Sequence, residues 1–370
     1  MGVLILSNAD VRAALDPEEC EQAMASVLAA RARGEAYNPL RSVTVPPGAP
    51  GFMGLMPAYA AAGGGGAGGA EGTGSADAAE GTGSAGGAGG ESEAGAFALK
   101  AICLLPGNPR RGLDTHQGTV TLFDGQTGVP TAILNASAVT EIRTAAVTAA
   151  ATRALARQDA RVLAILGAGV QARSHLRALA GVRPWTQVRL FAPTAEHARA
   201  VAAGWDEAAS SPPIVDGTAQ TVVPIVAGTA REAVEGADVV VTVTSSKEPV
   251  LMHAWLGAGT HVNAVGASTP TARELEVETV AAAALFCDSR ESVGAEAGEF
   301  LLAVQQGAIP GETHIRAELG EVLGGMHAGR TDAGELTLFR SLGIGVEDLA
   351  AAQLAVLTAR RLGLGTDVEL

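Results

Sequence analysis

The stretch RVLAILGAGVQARSHLRALA at 161–180 constrains this chain more than any other. A short apolar run meets a glycine turn, and the spacing of apolar residues then changes to that of an amphipathic helix. Gly167, Gly169 and Ala172 form G-x-G-x-x-A at that junction, with Val170 and Gln171 inside it. The first glycine permits a tight turn and the second lets backbone approach a pyrophosphate. The alanine lets the helix pack on the strand, and the helix N-terminus attracts the phosphates. A dinucleotide-binding strand, turn and helix is expected here.

The sequence around it repeats the alternation. QVRLFA (187–192), IVDGTAQTVVPIV (214–226), DVVVTVT (238–244), HVNAVGA (261–267) and AALFCDS (283–289) are strand-like runs separated by helical patterns. They predict an α/β fold with a parallel sheet covered on both faces, a Rossmann domain over 141–330. Thr244, Val265 and Gly266 then lie at the carboxyl edge of the strands, where ligands collect. At the end of the second strand an acid would hold the ribose 2′-hydroxyl of NAD, but Phe191, Ala192, Pro193 and Thr194 stand there. This favours NADP over NAD, with Thr194, His197 and Arg199 in reach of a 2′-phosphate; the alternative is that His197 and Arg199 are solvated helix residues.

Residues 137–157 predict an Ala-rich helix with Thr140 as N-cap and Glu141 in its first turn. Residues 343–362 predict another, with Val346, Leu349, Leu354 and Leu357 on one apolar stripe. Residues 1–140 hold no second glycine fingerprint and are the better candidate for substrate binding. Within them, 61–96 contains 15 Gly in 36 residues and repeats AEGTGSA, so it reads as a disordered insertion.

The 25 Lys and Arg against 39 Asp and Glu give a net charge of −14. Removing the insertion's five acids leaves −14 + 5 = −9, so the charge argues against nucleic acid as a main partner in either case. No run of about 18 apolar residues suggests a membrane span. Cys20, Cys103 and Cys287 are scattered without CxxC spacing, so neither disulfides nor a metal site is expected, and a cytoplasmic setting is.

Several blocks taken together resemble the ornithine cyclodeaminase/mu-crystallin family: NPLRSVTV, GLMPAY, FALKAICLLPGNPRRGLDTHQG, LFDGQTGVPTAIL, EIRTAAVTAAATRALA, LGAGVQARSH, VNAVGASTPTAREL and LFRSLGIGVEDLAAAQ. They cover most of the chain in family order. The resemblance implies a homodimer in which residues 1–140 and a returning segment, 331–370, form a discontinuous α+β substrate and dimerisation domain. It also implies that Arg41, Lys100 and Arg143 surround a substrate carboxylate. That chemistry is sensible, since guanidinium groups make forked contacts to a carboxylate and lysine adds a point charge. Thr115 and Gln117 match a loop lining the same pocket, Asn108 precedes it in a turn, and His116 is a candidate general acid or a solvated loop residue. Thr144 either approaches the cofactor or caps its helix. Ser341, Leu342 and Gly343 match a loop near the nicotinamide.

One departure is informative. Family members acting as cyclodeaminases resemble one another in carrying Asp where this chain has Ser268, and a serine alone cannot deprotonate an attacking amine. The block is instead similar to relatives that reduce cyclic ketimines, Δ1-pyrroline-2-carboxylate and Δ1-piperideine-2-carboxylate, to proline and pipecolate. Ketimine reduction with NAD(P)H is therefore the expected activity. The alternatives are an NAD-dependent ornithine cyclodeaminase, an amino acid dehydrogenase of the alanine dehydrogenase type, and a non-catalytic nucleotide-bound protein.

Overall fold

The computed structural model describes residues 2–63, 95–205, 214–215, 218–219 and 222–369. Most of the 61–96 insertion lies outside the described residues. Two eight-stranded sheets organise the rest.

The second sheet, by position in the chain, is parallel throughout. Its strands run Ile225–Val226, Gln187–Phe191, Val162–Leu166, Val239–Thr242, His261–Ala264, Thr337–Arg340, Ala284–Cys287 and Ile315–Glu318 from edge to edge. The first five give the order 3-2-1-4-5, which reverses between Val162–Leu166 and Val239–Thr242 and opens a crevice at their carboxyl ends. The three inner strands Val162–Leu166, Val239–Thr242 and His261–Ala264 are buried on both faces, which explains why they read as unbroken apolar runs rather than alternating ones. Of the 214–226 run only Ile225–Val226 joins this sheet, whereas Ile214–Val215 and Thr218–Ala219 pair with each other. Thr337–Arg340 also belongs to it, between strands begun at 261 and 284. The returning segment therefore leaves this sheet after Arg340, not at 331, because a strand of four fully buried residues fills the gap between two others.

The first sheet is mixed. Thr366–Glu369, Gly2–Leu6, Pro130–Asn135, His116–Asp124, Ala96–Leu104, Phe52–Ala60 and Ala36–Tyr37 lie in that order, and Ser42–Thr44 also pairs with Phe52–Ala60. The helices Pro17–Ala32, Ala136–Leu155 and Gly345–Leu362 share a core with it. Alternation in Ala96–Leu104 turns Ala98, Lys100 and Ile102 inward. A lysine thus sits on the apolar face of a sheet, where it needs a buried partner.

The Ala136–Leu155 helix begins earlier than the sequence suggests. Asn135 is its N-cap, accepting from Ala138 N at 3.0 Å. Thr140 therefore lies inside the helix, and Glu141 is in its second turn, paired with Arg12. Its other end is held by Arg183, which donates to the carbonyls of Arg153 (3.0 Å), Ala156 (3.1 Å) and Arg157 (3.0 Å). Such charge-assisted bonds to the carbonyls at the helix end and the turn after it stabilise the helix. Arg183→Met should cost about 2 kcal/mol, roughly 3 °C in a melting experiment on a chain of this size. An unchanged Tm would mean that water caps these carbonyls equally well.

The Gly345–Leu362 helix buries Val346, Leu349 and Leu354 as its spacing predicts, but Leu357 is 56% exposed. In those last turns the core lies against Ala355, Thr358 and Ala359, which leaves Leu357 on the outer side.

Candidate active site

The helix that follows Val162–Leu166 starts at Val170, with Gly169 as an N-cap that supplies no side-chain bond. Its first amides are thus available to a phosphate. Gly167 holds φ at +131°, and a Cβ there would stand 2.6 Å from Val243 O across the crevice. A Cβ on Gly169 would meet nothing within 4 Å, so its side of the turn opens onto free space, while Ala172 is packed into the core. Ser341 Oγ is buried and has no hydrogen-bond partner among the described residues. An open glycine cradle, a bare helix N-terminus and an unpaired hydroxyl fit a dinucleotide.

The neighbouring strand ends are tied together by a group the sequence did not reveal. The Glu274 carboxylate accepts from Thr242 Oγ1 (2.9 Å), Thr244 N (2.6 Å), Thr244 Oγ1 (2.7 Å) and Gly266 N (2.7 Å). A Cβ on Gly266 would lie 2.2 Å from Thr244 O, so only glycine fits beside Val265 at this edge. Arg340 grips the other side of the same loop through the carbonyls of Ala264, Ala267 and Ser341. Ser268, half-buried, follows Ala267. Thr194, His197 and Arg199 are exposed beyond the end of Gln187–Phe191, and no carboxylate stands at Ala192, Pro193 or Thr194.

The three cations converge where the two sheets meet. Lys100 Nζ reaches Asp348 Oδ1 and Oδ2 at 3.0 and 3.2 Å. Arg143 bonds Asp348 Oδ1 through Nε (3.1 Å) and Glu347 Oε2 through Nη1 (2.8 Å). Arg41 pairs with Glu296 at 2.8 Å and donates to Leu342 O at 2.8 Å. Gly343, at φ +74°, lies so close that a Cβ would be 2.5 Å from Arg143 Nη1. Asp288 Oδ2 accepts from the backbone of Leu342 and Gly343, at 2.6 and 2.7 Å, and fixes that loop. The carboxylates Asp288, Glu296, Glu347 and Asp348 escaped the sequence reading. Their one signal was an adjacent acid pair between Val346 and Leu349, on a helix face that otherwise reads as apolar.

Burial sets the charges. Desolvation pushes the Lys100 ammonium down to about 8, with Arg143 and Arg41 adding to the shift and Asp348 opposing it. Desolvation, then Lys100 and Arg143, push His116 down to about 4. His116 is therefore a neutral imidazole at pH 7, able to donate one N–H but not to serve as a charged acid. It is also not in a loop: His116 and Gln117 open the strand His116–Asp124. Thr115 O accepts from Leu105 N, Gln117 Nε2 donates to Asp114 O, and Asn108 Nδ2 bonds Asp114 O, so Asn108 and Gln117 brace the turn. Thr144 is not a cap, since its hydroxyl donates to Thr140 O within the helix at 2.6 Å.

A dinucleotide crevice beside a cluster of carboxylate-paired cations defines a nucleotide-dependent enzyme. The profile of the ornithine cyclodeaminase/mu-crystallin family matches residues 89–356, and the chain belongs to that family. It is 36% identical to the ketimine reductase mu-crystallin of Mus musculus over 321 residues, 87% of this chain and 85% of the mouse protein. The Δ1-pyrroline-2-carboxylate reductase of Thermococcus litoralis, solved with NADH and L-proline, superposes with a TM-score of 0.84 at 31% identity, covering 99% of this chain and 100% of that one. An archaeal alanine dehydrogenase dimer with bound NAD gives a TM-score of 0.83 at 28% identity over the full length of both chains. The protein is an NAD(P)-dependent oxidoreductase. Among the described residues there is no cluster of metal-ligating side chains and no helix long and apolar enough to cross a membrane.

Proposed function

We propose that this protein reduces a cyclic ketimine carboxylate, Δ1-pyrroline-2-carboxylate or Δ1-piperideine-2-carboxylate, to proline or pipecolate. The observation that carries the reading is the convergence of Arg41, Lys100 and Arg143 beside the crevice, with no ionised side chain at Ser268. When bound, a reduced nicotinamide supplies a hydride. The chain's own tasks are to hold the substrate carboxylate, keep the planar C=N group in register and provide one proton to nitrogen. Arg41 and Arg143 do the first two, and Lys100, buried and near its titration point at neutral pH, does the third. The ring nitrogen gains that proton, the carbon gains the hydride, and the product leaves as a cyclic amino acid.

The cyclodeaminase alternative needs a free base near the substrate amine. Glu274 is in the same loop as Ser268, but its carboxylate is fully engaged by Thr242, Thr244 and Gly266. We infer a preference for NADP, supported by the missing acid after Phe191 and the exposed Thr194, His197 and Arg199. We further infer a homodimer, supported by the exposed Tyr37, Val43, Val45, Met53 and Phe97 on neighbouring strands of the first sheet and the segment that follows them. The free thiols Cys20, Cys103 and Cys287 suit a reducing cytoplasm.

The test follows the loss of reduced-cofactor absorbance with each imine, for NADPH and NADH separately, beside an incubation with ornithine and NAD. Imine-dependent oxidation without ammonia from ornithine is expected. Ammonia and proline from ornithine would overturn the reading and the argument from Ser268.

A further inference from the structure

Carboxylates already outnumber the anchoring cations in this site, a substrate carboxylate widens the gap, and the imbalance points to one residue. Around the anchoring cations Arg41, Lys100 and Arg143 stand four carboxylates: Glu296, Asp288, Glu347 and Asp348. Two are well supported by hydrogen bonds, and a third keeps some solvent. Asp348 takes two bonds from Lys100 and one from Arg143. Asp288 takes three backbone amides, from Ser289, Leu342 and Gly343. Glu296 Oε2 lacks a hydrogen bond as well, but it forms an ion pair with Arg41 and the side chain is partly exposed, so solvent can share its charge. Glu347 is fully buried, takes one side-chain bond, from Arg143 Nη1 through Oε2, with the Ile344 amide as a weaker backbone partner, and its Oε1 has no hydrogen-bond partner among the described residues.

Arg143 uses Nε and Nη1 on Asp348 and Glu347, which leaves Nη2 for a ligand. A substrate carboxylate docked there would put three anions on one guanidinium. A buried anion without its own counter-charge is costly, and proteins relieve it by protonation. We propose that Glu347 is a proton-linked counter-ion: it takes a proton from solvent onto Oε1 as the substrate carboxylate docks on Arg143, and returns it when the product leaves. This rests on the reading of Arg143 as the carboxylate anchor.

The groups facing Glu347 agree with that role. Arg143 approaches from the Ala136–Leu155 helix, Asp288 from the end of Ala284–Cys287, Cys20 from Pro17–Ala32, and Asp348 from its own helix, with Lys100 beyond Asp348. Burial pushes Glu347 up to about 8, with Asp288 and Asp348 adding to the shift against Arg143. Cys20 is pushed up to about 12 by burial and stays a neutral thiol. Proton uptake on docking therefore operates above about pH 8, where Glu347 is ionised beforehand, and fades toward neutrality, where it already carries the proton. Glu347 is bound by Arg143 and acts through it as a positioning residue.

The test uses the protein loaded with NADP and pyrrole-2-carboxylate, a planar analogue that cannot be reduced by a bound oxidised cofactor. Calorimetry at pH 9 in two buffers of different ionisation enthalpy counts protons taken up per analogue bound. Wild type should take up about one proton more than Glu347→Gln, and the two should converge at pH 6.5, where Glu347 is already protonated. Equal uptake at pH 9 overturns the proposal while leaving the substrate reading intact. Should Glu347→Gln not fold, the infrared difference spectrum of wild type at pH 9 decides: a protonated-carboxyl stretch gained on binding supports the proposal, and its absence overturns it. Failure of the analogue to bind at all overturns the reading of the site, and this inference with it.

Discussion

Replacing Lys100 by Met should lower kcat about 1,000-fold, the usual scale for removing a general acid, and should erase the alkaline limb of the rate profile. The sign follows from the group. An ammonium held down to about 8 is charged and able to donate below that pH, and loses its proton above it. Wild-type kcat should therefore be flat near neutrality and fall as pH rises through about 8. The variant should be slow and nearly pH-independent. Methionine matches the lysine stem but leaves Asp348 with Arg143 as its only cation, so some stability is lost too. Rates are best compared well below the melting temperature. The Glu347 linkage acts in the same pH range but on affinity, so it moves KM rather than kcat. Full kcat and KM in Lys100→Met would remove Lys100 from the mechanism.

Gly343→Ala should damage the site nearly as much by geometry alone. The backbone there is at φ +74°, where an L-residue is strained, and the added methyl would sit 2.5 to 2.6 Å from both terminal nitrogens of Arg143. Either the guanidinium swings off Glu347 and Asp348, or the 341–343 loop lifts away from Asp288. A displacement of about 1 Å in a positioning group costs on the order of 100-fold, so kcat/KM for the imine should fall by about that factor. Cofactor affinity should fall far less, because the Gly167–Ala172 turn is on another strand and only the neighbouring Ser341 shares the disturbed loop. A variant with unaltered kcat/KM would show that Arg143 is not held where the reaction needs it.

The glycine turn and the parallel strands were legible because they are local: a change of hydrophobic period and three small residues define them within twenty positions. Arg41, Lys100 and Arg143 were not legible in that sense, since each is a lone cation in an ordinary segment and only the resemblance to a family grouped them. Their counter-ions were harder still. Nothing near Lys100 announces Asp348, which is 248 residues away, and an acid on a helix is normally solvated. Glu274 was passed over for the same reason, although it follows Ser268 by six residues: its bonds run to two strand ends that sequence alone does not bring together. The start of the Ala136–Leu155 helix was misplaced because Asn135 and Thr140 are both good caps, and the strand Pro130–Asn135 decides between them by ending at the first.

Lys100 with Asp348, and Arg41 with the carbonyl of Leu342 301 residues further on, give the pocket an unusually non-local wiring. Thr337–Arg340, inserted between strands that precede it in the chain, does the same for the second sheet. On a ribosome, the strands from 284 and 315 must wait for a late element before they can be joined to the rest, and Lys100 and Arg143 have no counter-ions until residues 347 and 348 emerge. Refolding should therefore be slow for a chain of this size, with nucleotide affinity and imine turnover recovered in the same late step.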